Sequence, residues 1–369
     1  MQIDMVKSLN TEEALETISM SNIVSSADKP PQMAELYSLP SISFVIATYN
    51  SAVTLGSCLK SIRDQNYPAS KIEIIIVDGG SRDETFDVCR RYNVDKILSN
   101  PFRVEEKGIA IGVRYARNEI LGSVDADNVL PTRDWLLKVI APFENEDVVE
   151  SEPLSYSSRK EDSAVTRYVG LIGADDPIAL YTGFYDRFCY FRGRWTDMPF
   201  TVVRQSCDYT IVHLDEKYIP PIGANGAFFR AEALKNIEYD PFNHVDLIYK
   251  LVKAGYYGFA KVNIGILHIQ DNKIRTFISK KRRRVVRQLK NELSPAYDFK
   301  TTPIFKRNFP KFVFSSLFVF PLLLDIRKGY EEKPDLSWFL HLIVCPFTFW
   351  IYATETIKWL VDSKIGGNR

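Results

Sequence analysis

Short apolar runs alternate with amphipathic segments along the first third of the chain. Residues 42–48 and 72–78 are rich in Ile, Val and Phe and end in polar residues, which is typical of strands buried on both faces of a parallel sheet. Apolar residues three or four positions apart predict a helix over 53–65. The further predicted elements are a helix opened by Ser81 and Asp83, a strand at 94–98, a helix at 109–119, a strand ending at Asp125, a helix ending at Gly255–Tyr256 and a strand at 262–268. This alternation predicts an α/β fold with a mostly parallel sheet and right-handed crossovers.

Three of the predicted strands end in polar, acidic or small residues. These are Thr48, Tyr49, Asn50, Asp78, Gly79, Gly80, Asp125 and Asp127. In open α/β sheets, ligands bind beyond the carboxyl ends of the strands, and three such ends are difficult to explain as unrelated solvated turns. No Gly-x-Gly-x-x-Gly follows the first strand, so a dinucleotide site is disfavoured.

Asp125 and Asp127 are the strongest candidates for chemistry. Residues i and i+2 of an extended backbone point the same way, so these two carboxylates are predicted to converge on one divalent cation. Hard oxygen ligands suit Mg²⁺ or Mn²⁺. Because an Asp-x-Asp at a strand end is also common in solvated turns, the functional interpretation depends on the neighbouring strand ends.

Four short motifs resemble those of a known family. They are Ala47-Thr-Tyr-Asn, Val77-Asp-Gly-Gly-Ser-Arg-Asp-Glu-Thr, Ala116-Arg-Asn and Val124-Asp-Ala-Asp-Asn. Their order over about residues 42–268 resembles family 2 glycosyltransferases of the GT-A fold. The resemblance implies a Rossmann-like sheet flanked by helices and a nucleotide-sugar donor, a UDP- or GDP-sugar.

The resemblance also implies roles for particular residues. Asp78 would contact the nucleotide base, Asp125 the ribose and metal region, and Asp127 the Mn²⁺ or Mg²⁺ held by the nucleotide diphosphate. Gly79 stands where the family usually has Asp, which leaves the identity of the base open. The residues expected to bind the donor are Thr48, Tyr49, Asn50, Asp78, Gly79, Lys107, Arg114, Asp125, Ala126, Gly223 and Asn225; those expected to bind the metal are Asp125, Asp127 and His268.

Some of these assignments have ordinary structural alternatives. Lys107 and Arg114 are equally well explained as solvated helix charges, and a His at a strand end, such as His268, is often structural. Residues 223–225 are small enough for the backbone to approach a ligand closely, and in the resembling family a Gly-rich segment here lies under the donor sugar.

An inverting transfer also requires a base, which contributes roughly 10² to 10⁴ in rate. The resembling family usually places a Glu-Asp pair at a helix start. Aligning the helices puts Asn243 and His244 on that pair, with Asp246 two residues later. We favour Asp246 as the base and keep His244 as its rival or as an acceptor-binding group. The alternative is that Asn243 is only the N-cap of an unreactive helix.

The last hundred residues indicate a membrane-associated region. Five consecutive cations, Lys280 to Arg284, lie on a predicted amphipathic helix, which suits an anionic membrane surface; a solvated face, a polyanion site or a nuclear address are the alternatives. Residues 309–324 and 336–360 are dense in Phe, Trp, Leu and Ile. The first run is shorter than the roughly 20 residues that a spanning helix requires, and the second contains His341, Pro346 and Glu355.

These features favour helices that lie in, or re-enter, the membrane interface. Two spanning helices, a helical cap on the enzyme, or a dimer contact are the alternatives. We therefore expect residues 273–293 and 309–360 to contact a membrane surface.

Length and composition set the domain boundaries and exclude some partners. We expect an arm over 1–40, a catalytic domain over 41–270 with a nucleotide-binding half up to 130 and an acceptor half after it, and a membrane-associated region over 271–369. The net charge of +1 argues against a nucleic-acid partner. The five cysteines lack metal-ligand spacing and are expected to be reduced thiols of a cytosolic setting.

Together these observations predict an inverting, metal-dependent glycosyltransferase at the cytoplasmic face of a membrane. Its acceptor would be lipid-linked or otherwise membrane-located. A second copy of the chain is a further candidate partner. A sugar nucleotidyltransferase is disfavoured because no Gly-rich phosphate loop with Arg or Lys follows the first strand. A catalytically inactive membrane scaffold is the non-enzymatic alternative, encouraged by the altered base site.

Overall fold

The computed structural model describes residues 38–270, 274–289 and 296–366. Apart from its last three residues, the arm predicted over 1–40 lies outside this part of the chain. The strands, numbered in chain order, are β1 (Ile42–Thr48), β2 (Ile72–Asp78), β3 (Lys96–Ser99), β4 (Ile120–Ser123), β5 (Asn128–Val129), β6 (Val148–Ser157), β7 (Thr201–Gln205), β8 (Tyr209–His213), β9 (Ala227–Arg230) and β10 (Gly258–His268).

Helices cover the sheet and continue beyond it. They are α1 (Ala52–Arg63), α2 (Thr85–Arg91), α3 (Glu105–Tyr115), α4 (Trp135–Ile140), α5 (Ala164–Ile172), α6 (Pro177–Thr182), α7 (Ala231–Lys235), α8 (His244–Lys253), α9 (Ile274–Leu289), α10 (Pro303–Leu317), α11 (Val319–Glu332) and α12 (His341–Gly366). Short 3₁₀ turns cover Ala69–Lys71, Ala141–Glu144, Phe299–Thr301 and Leu336–Leu340.

One sheet runs through both predicted halves of the catalytic domain, in the order β3-β2-β1-β4-β9-β6-β10-β8-β7, with β5 paired to β10. Strands β3, β2, β1 and β4 are mutually parallel, which confirms the α/β prediction for the first half. Strand β9 enters antiparallel between β4 and β6, and β6 is parallel to β10. The carboxyl ends of β1, β2 and β4 therefore meet at one edge.

The apolar runs are continuous because helices cover both faces of the sheet. Phe44 and Ile46 of β1 pack into the core on one face, whereas Val45 packs into the core on the other. All three side chains are fully buried. The two cores fix the sheet and so place the strand ends of the site.

Strand β10 connects strands from the two predicted halves of the catalytic domain and ends at His268. It pairs with β8 over residues 258–262 and with β6 over residues 258–267, and its last two residues pair with β5, where His268 lies opposite Asn128. Between Val262 and Gly265 the register against β6 shifts, because β10 advances three residues while β6 advances two, from Pro153 to Ser155. This bulge sets the direction in which His268 points.

The C-terminal helices pack on the catalytic domain and on one another. Helix α9 packs against α12, and α10 packs against α6. Helices α10 and α11 bend by 99° at a short break and together, like residues 336–363, have the length and apolar composition of a membrane span. By length and composition, the bent pair is compatible with one broken span or with a re-entrant loop.

Several predicted boundaries were wrong by a few residues. The helix predicted from Ser81 begins at Thr85, because Ser81 Oγ donates to Asp78 and Asp83 accepts from Thr85 Oγ1, so both residues hold the turn before it. The helix predicted over 109–119 spans 105–115 and ends where Ala116 becomes extended.

Candidate active site

Asp78 organises the edge where β1 and β2 end. Thr48 lies opposite it in the sheet register and donates to Asp78 Oδ1 over 2.9 Å, while the backbone N–H groups of Gly80 and Ser81 both donate to Oδ2 over 2.8 Å. Ser81 Oγ donates to Oδ1 as well. A carboxylate offers about four acceptor positions, so these four bonds occupy Asp78 in shaping the turn.

Tyr49, Asn50 and Gly79 form an open shelf beside this turn. Tyr49 is exposed, and the Arg103 guanidinium lies 5.8 Å from the centre of its ring. Asn50 adopts a positive φ of 51°, and its Oδ1 accepts from the backbone N–H of Arg82. A Cβ on Gly79 would meet Thr48 O at 3.4 Å, so a larger residue there narrows the shelf.

Three predicted metal ligands converge at the ends of β4 and β10. Asp125, Asp127 and His268 each offer one ligand atom, and these atoms all lie within 4.8 Å of one another. His268 Nε2 is 3.4 Å from Asp127 Oδ1. Ala126 lies between the two carboxylates. Two carboxylates and one imidazole form a donor set that fits Mn²⁺ or Mg²⁺.

The electrostatics of this cluster favour a cation. Burial, together with the nearby carboxylates of Glu105 and Asp127, raises the pKa of Asp125 well above its ordinary value. Burial alone would lower the pKa of His268, but Asp127 and Asp175 raise it to about 10. The carboxylates therefore repel one another, and a bound metal ion would relieve this repulsion.

Helix α9, which carries the basic run, lies beside this cluster. Lys281 is 5% exposed, donates to the backbone carbonyl of Asp175 and lies 3.6 Å from Asp176 Oδ2. Arg284 Nη2 is 3.7 Å from Asp175 Oδ2, and Arg287 Nη2 is 3.7 Å from Glu106 Oε2. Lys281 and Arg284 therefore contact the catalytic domain, whereas Arg282 pairs with Glu355 of α12 over 2.7 Å.

A buried charge network holds residues 223–225. These residues are predicted to lie under the donor sugar and are called the floor below. Arg187 is fully buried, lies 2.8 Å from Glu152 Oε1, pairs with Asp186 and donates to Ala224 O over 2.7 Å. Glu152 accepts from the backbone N–H of Gly223 over 3.0 Å. The network therefore fixes residues 223–225.

Asn225 is fixed by polar contacts on two sides. It has a positive φ of 50°, its Nδ2 donates to Tyr156 Oη over 3.0 Å, and its Oδ1 accepts from Asn128 Nδ2 over 3.2 Å. Since Asn128 follows Asp127 directly, the floor and the metal cluster are joined by one hydrogen bond.

The two candidate bases differ in what they contact. Asn243 caps α8, because its side chain accepts from the backbone N–H of Asp246 over 3.3 Å. Asp246 is buried, and its Oδ1 accepts from the backbone N–H of Tyr297 over 3.1 Å. His244 is half-buried beside Gly223. Burial, opposed by Glu152 and helped by Arg284 and Arg187, lowers the pKa of His244 to about 4, so its imidazole is neutral at pH 7.

Lys107 and Arg114 both pair with Asp240. Lys107 Nζ lies 2.7 Å from Asp240 Oδ1, and Arg114 Nη2 contacts the other oxygen. The hydrogen bond from Lys107 and the Arg114 charge hold the pKa of Asp240 below its ordinary value. These pairs join α3 to the segment before α8.

Residues 43–197 match the family model described as Glycosyl transferase family 2. The match covers less than half of this chain, and the region is therefore similar to that family. With the sheet described above, the match confirms the predicted GT-A fold, followed by a helical C-terminal region. The matched region contains Asp78, Asp125, Asp127 and Asp175, whereas the candidate residues His244, His268 and Arg284 follow it.

Curated relatives match the same part of the chain. Glycosyltransferase AglE of Haloferax volcanii is 30% identical over 103 residues, which cover 27% of this chain and 34% of that protein. A dolichyl N-acetyl-alpha-D-glucosaminyl phosphate 3-beta-D-2,3-diacetamido-2,3-dideoxy-beta-D-glucuronosyltransferase of Methanococcus voltae is 29% identical over 118 residues, 30% of this chain and 36% of that protein. The chain thus spans about a third of the length of these relatives.

Among solved structures, the mannosyltransferase PcManGT of Pyrobaculum calidifontis in complex with GDP-Man and Mn²⁺ is similar. Its TM-score is 0.47 at 18% identity, over 89% of this chain and 88% of that chain.

Asp175 and Arg284 are site residues that the sequence reasoning missed. Asp175 lies in an irregular segment without hydrophobic periodicity. Arg284 lies in the basic run, and the pattern of charges does not reveal its contact with Asp175. The adjacent acidic pair Asp175-Asp176 was the available signal.

Removing the buried guanidinium is expected to destabilise the protein strongly. Arg187→Met leaves Glu152 and Asp186 buried without their main counter-charge, which costs about 3–5 kcal/mol. Urea unfolding measures the effect. Arg90→Met breaks only an exposed pair with Asp87 and is the control, with no change in midpoint expected. Equal midpoints for Arg187→Met and the parent would contradict the role of the network.

Proposed function

We propose that this chain is a glycosyltransferase that moves a sugar from a nucleoside diphosphate sugar to a lipid-linked or other membrane-located acceptor. The observation that carries the proposal is the convergence of Asp125, Asp127 and His268 at the carboxyl edge of the sheet, beside the Asp78 turn. The family 2 match supports the reaction class. The name of the Methanococcus relative, a transferase acting on a dolichyl phosphate sugar, supports the acceptor class.

Mn²⁺ or Mg²⁺ would be held by Asp125, Asp127 and His268. When bound, it supplies Lewis-acid stabilisation of the charge on the departing nucleoside diphosphate. Arg284 contacts Asp175 and therefore lies beside the cluster, where it adds fixed positive charge. The shelf of Tyr49, Asn50 and Gly79 would receive the nucleoside, which is a UDP or GDP unit in this proposal.

The floor at residues 223–225 would orient the donor sugar. The buried network holds Gly223 and Ala224, so the backbone beneath the sugar is preorganised. The acceptor hydroxyl would then approach from the side of α8. We assign His244 as the group that takes its proton in an inverting transfer, because its imidazole is neutral and accessible, whereas the Asp246 carboxylate is turned inward to Tyr297.

Exposed apolar side chains on the C-terminal helices would seat the protein on the membrane. Phe318 at the bend is 53% exposed and Phe320 is 70% exposed. The others include Phe314, Leu317, Val319, Leu323 and Leu324 near the bend, and Phe347, Trp350, Ile357 and Trp359 on α12. An apolar patch of this kind marks a membrane or protein contact. The free thiols suit the cytoplasmic face.

Asp127→Asn is expected to reduce the release of nucleoside diphosphate by about a hundredfold or more, because the metal contributes several kcal/mol to transition-state stabilisation. The assay uses UDP- and GDP-sugars with Mn²⁺ and a membrane lipid extract, and calorimetry follows Mn²⁺-assisted nucleotide binding.

Asp87→Asn, an exposed carboxylate on α2, is the control and should retain activity. Parent-level turnover by Asp127→Asn would contradict the proposal. Release of pyrophosphate from a sugar phosphate and a nucleoside triphosphate would indicate a nucleotidyltransferase, and binding without release a scaffold.

His244→Ala is expected to lower kcat by about 10² to 10⁴, whereas Asp246→Asn retains an acceptor for the Tyr297 N–H and changes kcat little. A base must be deprotonated, so activity of the parent should be constant above pH 5 and fall as the pH drops through about 4, the pKa of His244. Steady-state rates over this pH range check both points. A larger loss in Asp246→Asn would assign the base to Asp246.

The exposed apolar residues 314–324 near the bend are called the apolar apex below. If they seat the protein on the membrane, Phe318→Asp combined with Phe320→Asp is expected to abolish co-flotation with liposomes, because charged groups then replace exposed apolar side chains. The matched control is Phe102→Asp combined with Tyr115→Asp, two exposed aromatic residues on the catalytic domain. Retained flotation of the apex variant, or release of the parent by high salt alone, would rule out apolar insertion.

A further inference from the structure

Four cationic side chains line a cavity between the acceptor half and the C-terminal helices. The cavity has a volume of about 190 Å³, far above the roughly 10–15 Å³ that one water molecule needs. Its lining residues are Arg192, Arg194, Arg307, Lys311, Tyr181, Asn308 and Asp197. This set is separate from the metal cluster and the floor of the donor site.

The positive charge of the cavity is not balanced by the described residues. Among the described residues that line it, Asp197 is the only carboxylate, and it pairs with Arg194 Nε over 2.6 Å. Within the described chain, Arg307 and Lys311 have no carboxylate within ion-pair distance. Arg192 Nε is buried and has no hydrogen-bond partner among the described residues.

A second carboxylate lies nearby but is engaged elsewhere. Asp325 Oδ2 accepts from Tyr181 Oη, and Asp325 reaches Arg192 only through longer-range attraction. A buried guanidinium nitrogen without a partner costs free energy unless an anion completes it. The geometry therefore indicates an anionic ligand.

The cavity lies close to the apolar apex. Arg307 and Lys311 are on α10, whose next residues lead to the exposed Phe314 and Phe318. Along the helix, Lys311 and Phe318 are separated by about 10 Å. Headgroups occupy the outer several ångströms of a bilayer of roughly 40–45 Å, so an apex in the hydrocarbon region puts this cavity at headgroup level.

The cavity is also close to the donor site. Arg187 binds the carbonyl of Ala224 in the floor, and Arg192 in the cavity follows it by five residues. Five residues span at most about 18 Å even when fully extended. A group bound in the cavity is therefore within reach of a short sugar chain from the donor sugar.

We propose that this cavity binds the phosphate or diphosphate ester of the membrane acceptor and thereby fixes how far the reacting hydroxyl stands from the bilayer. Guanidinium groups bind phosphate oxygens through paired hydrogen bonds, and Lys311 adds a point charge. The inference rests on the proposed function in one respect, namely that the bound phosphate ester is the acceptor of the transfer. Binding itself is measured without donor, so its outcome is independent of whether transfer occurs.

The experiment titrates the full chain, in neutral detergent micelles with EDTA, with geranylgeranyl phosphate. The parallel ligands are geranylgeraniol, which lacks the phosphate, and inorganic phosphate, which lacks the lipid. The variant is Arg307→Gln combined with Lys311→Gln, both on an exposed helix face. The matched control removes the same charge from α11 with Arg327→Gln and Lys328→Gln.

The cavity variant is expected to bind geranylgeranyl phosphate at least about tenfold more weakly, since each lost charged hydrogen bond corresponds to about that factor. The α11 control and the circular dichroism spectrum should be unchanged. Equal affinity of the cavity variant and the parent would overturn the site. Equal affinity for geranylgeraniol would overturn the phosphate, and equal affinity for inorganic phosphate would overturn the lipid source.

If nucleoside diphosphate release fails in every protein while this binding pattern holds, the proposed transfer is wrong and the phosphate site stands. If release occurs and the binding pattern is absent, the phosphate site is wrong and the transfer stands.

Discussion

Repulsion between carboxylates at one edge of the sheet is the constraint around which the site is arranged. Two unit charges 4 Å apart interact by about 4 kcal/mol at an effective dielectric constant of 20. Asp125 and Asp127 leave β4 together, and Glu105 and Asp175 lie close by. Positive groups from distant parts of the chain, His268 and Arg284, stand against them. The sheet, the last strand and the basic helix thus meet because the acidic edge needs counter-charge.

The same principle explains the rigidity of the floor. Arg187, Glu152, Asp186 and Lys261 are charged groups whose burial would be costly singly, but each has partners. Two of these groups also bind the backbone of residues 223–225. The loop at residues 223–225 is therefore held by groups that cannot relax without exposing a buried charge.

The sequence predicts the site where periodicity and strand ends determine geometry. The buried runs fix the parallel sheet, and the position of Asp125 and Asp127 after one strand and His268 after another is enough to predict their convergence. The direction in which a side chain points is harder to predict for residues outside regular strands. The charges of the basic run are compatible with a membrane and with Asp175, and the pattern of charges does not reveal that Lys281 and Arg284 contact Asp175. Asp78 is found as predicted at a strand end, but its hydrogen bonds, which come from a local turn, are not visible in a motif.

The bulge in β10 has a consequence for how this chain can vary. Successive side chains in a strand alternate between faces, so the one additional residue between Val262 and Gly265 determines on which side His268 emerges. Deleting or inserting a single residue anywhere from Gly265 to His268 would turn the imidazole toward the opposite layer of helices, even though every strand could still pair. The number of residues in this short stretch is therefore more tightly restricted than their type. Divergent relatives should differ there by substitutions and not by insertions or deletions.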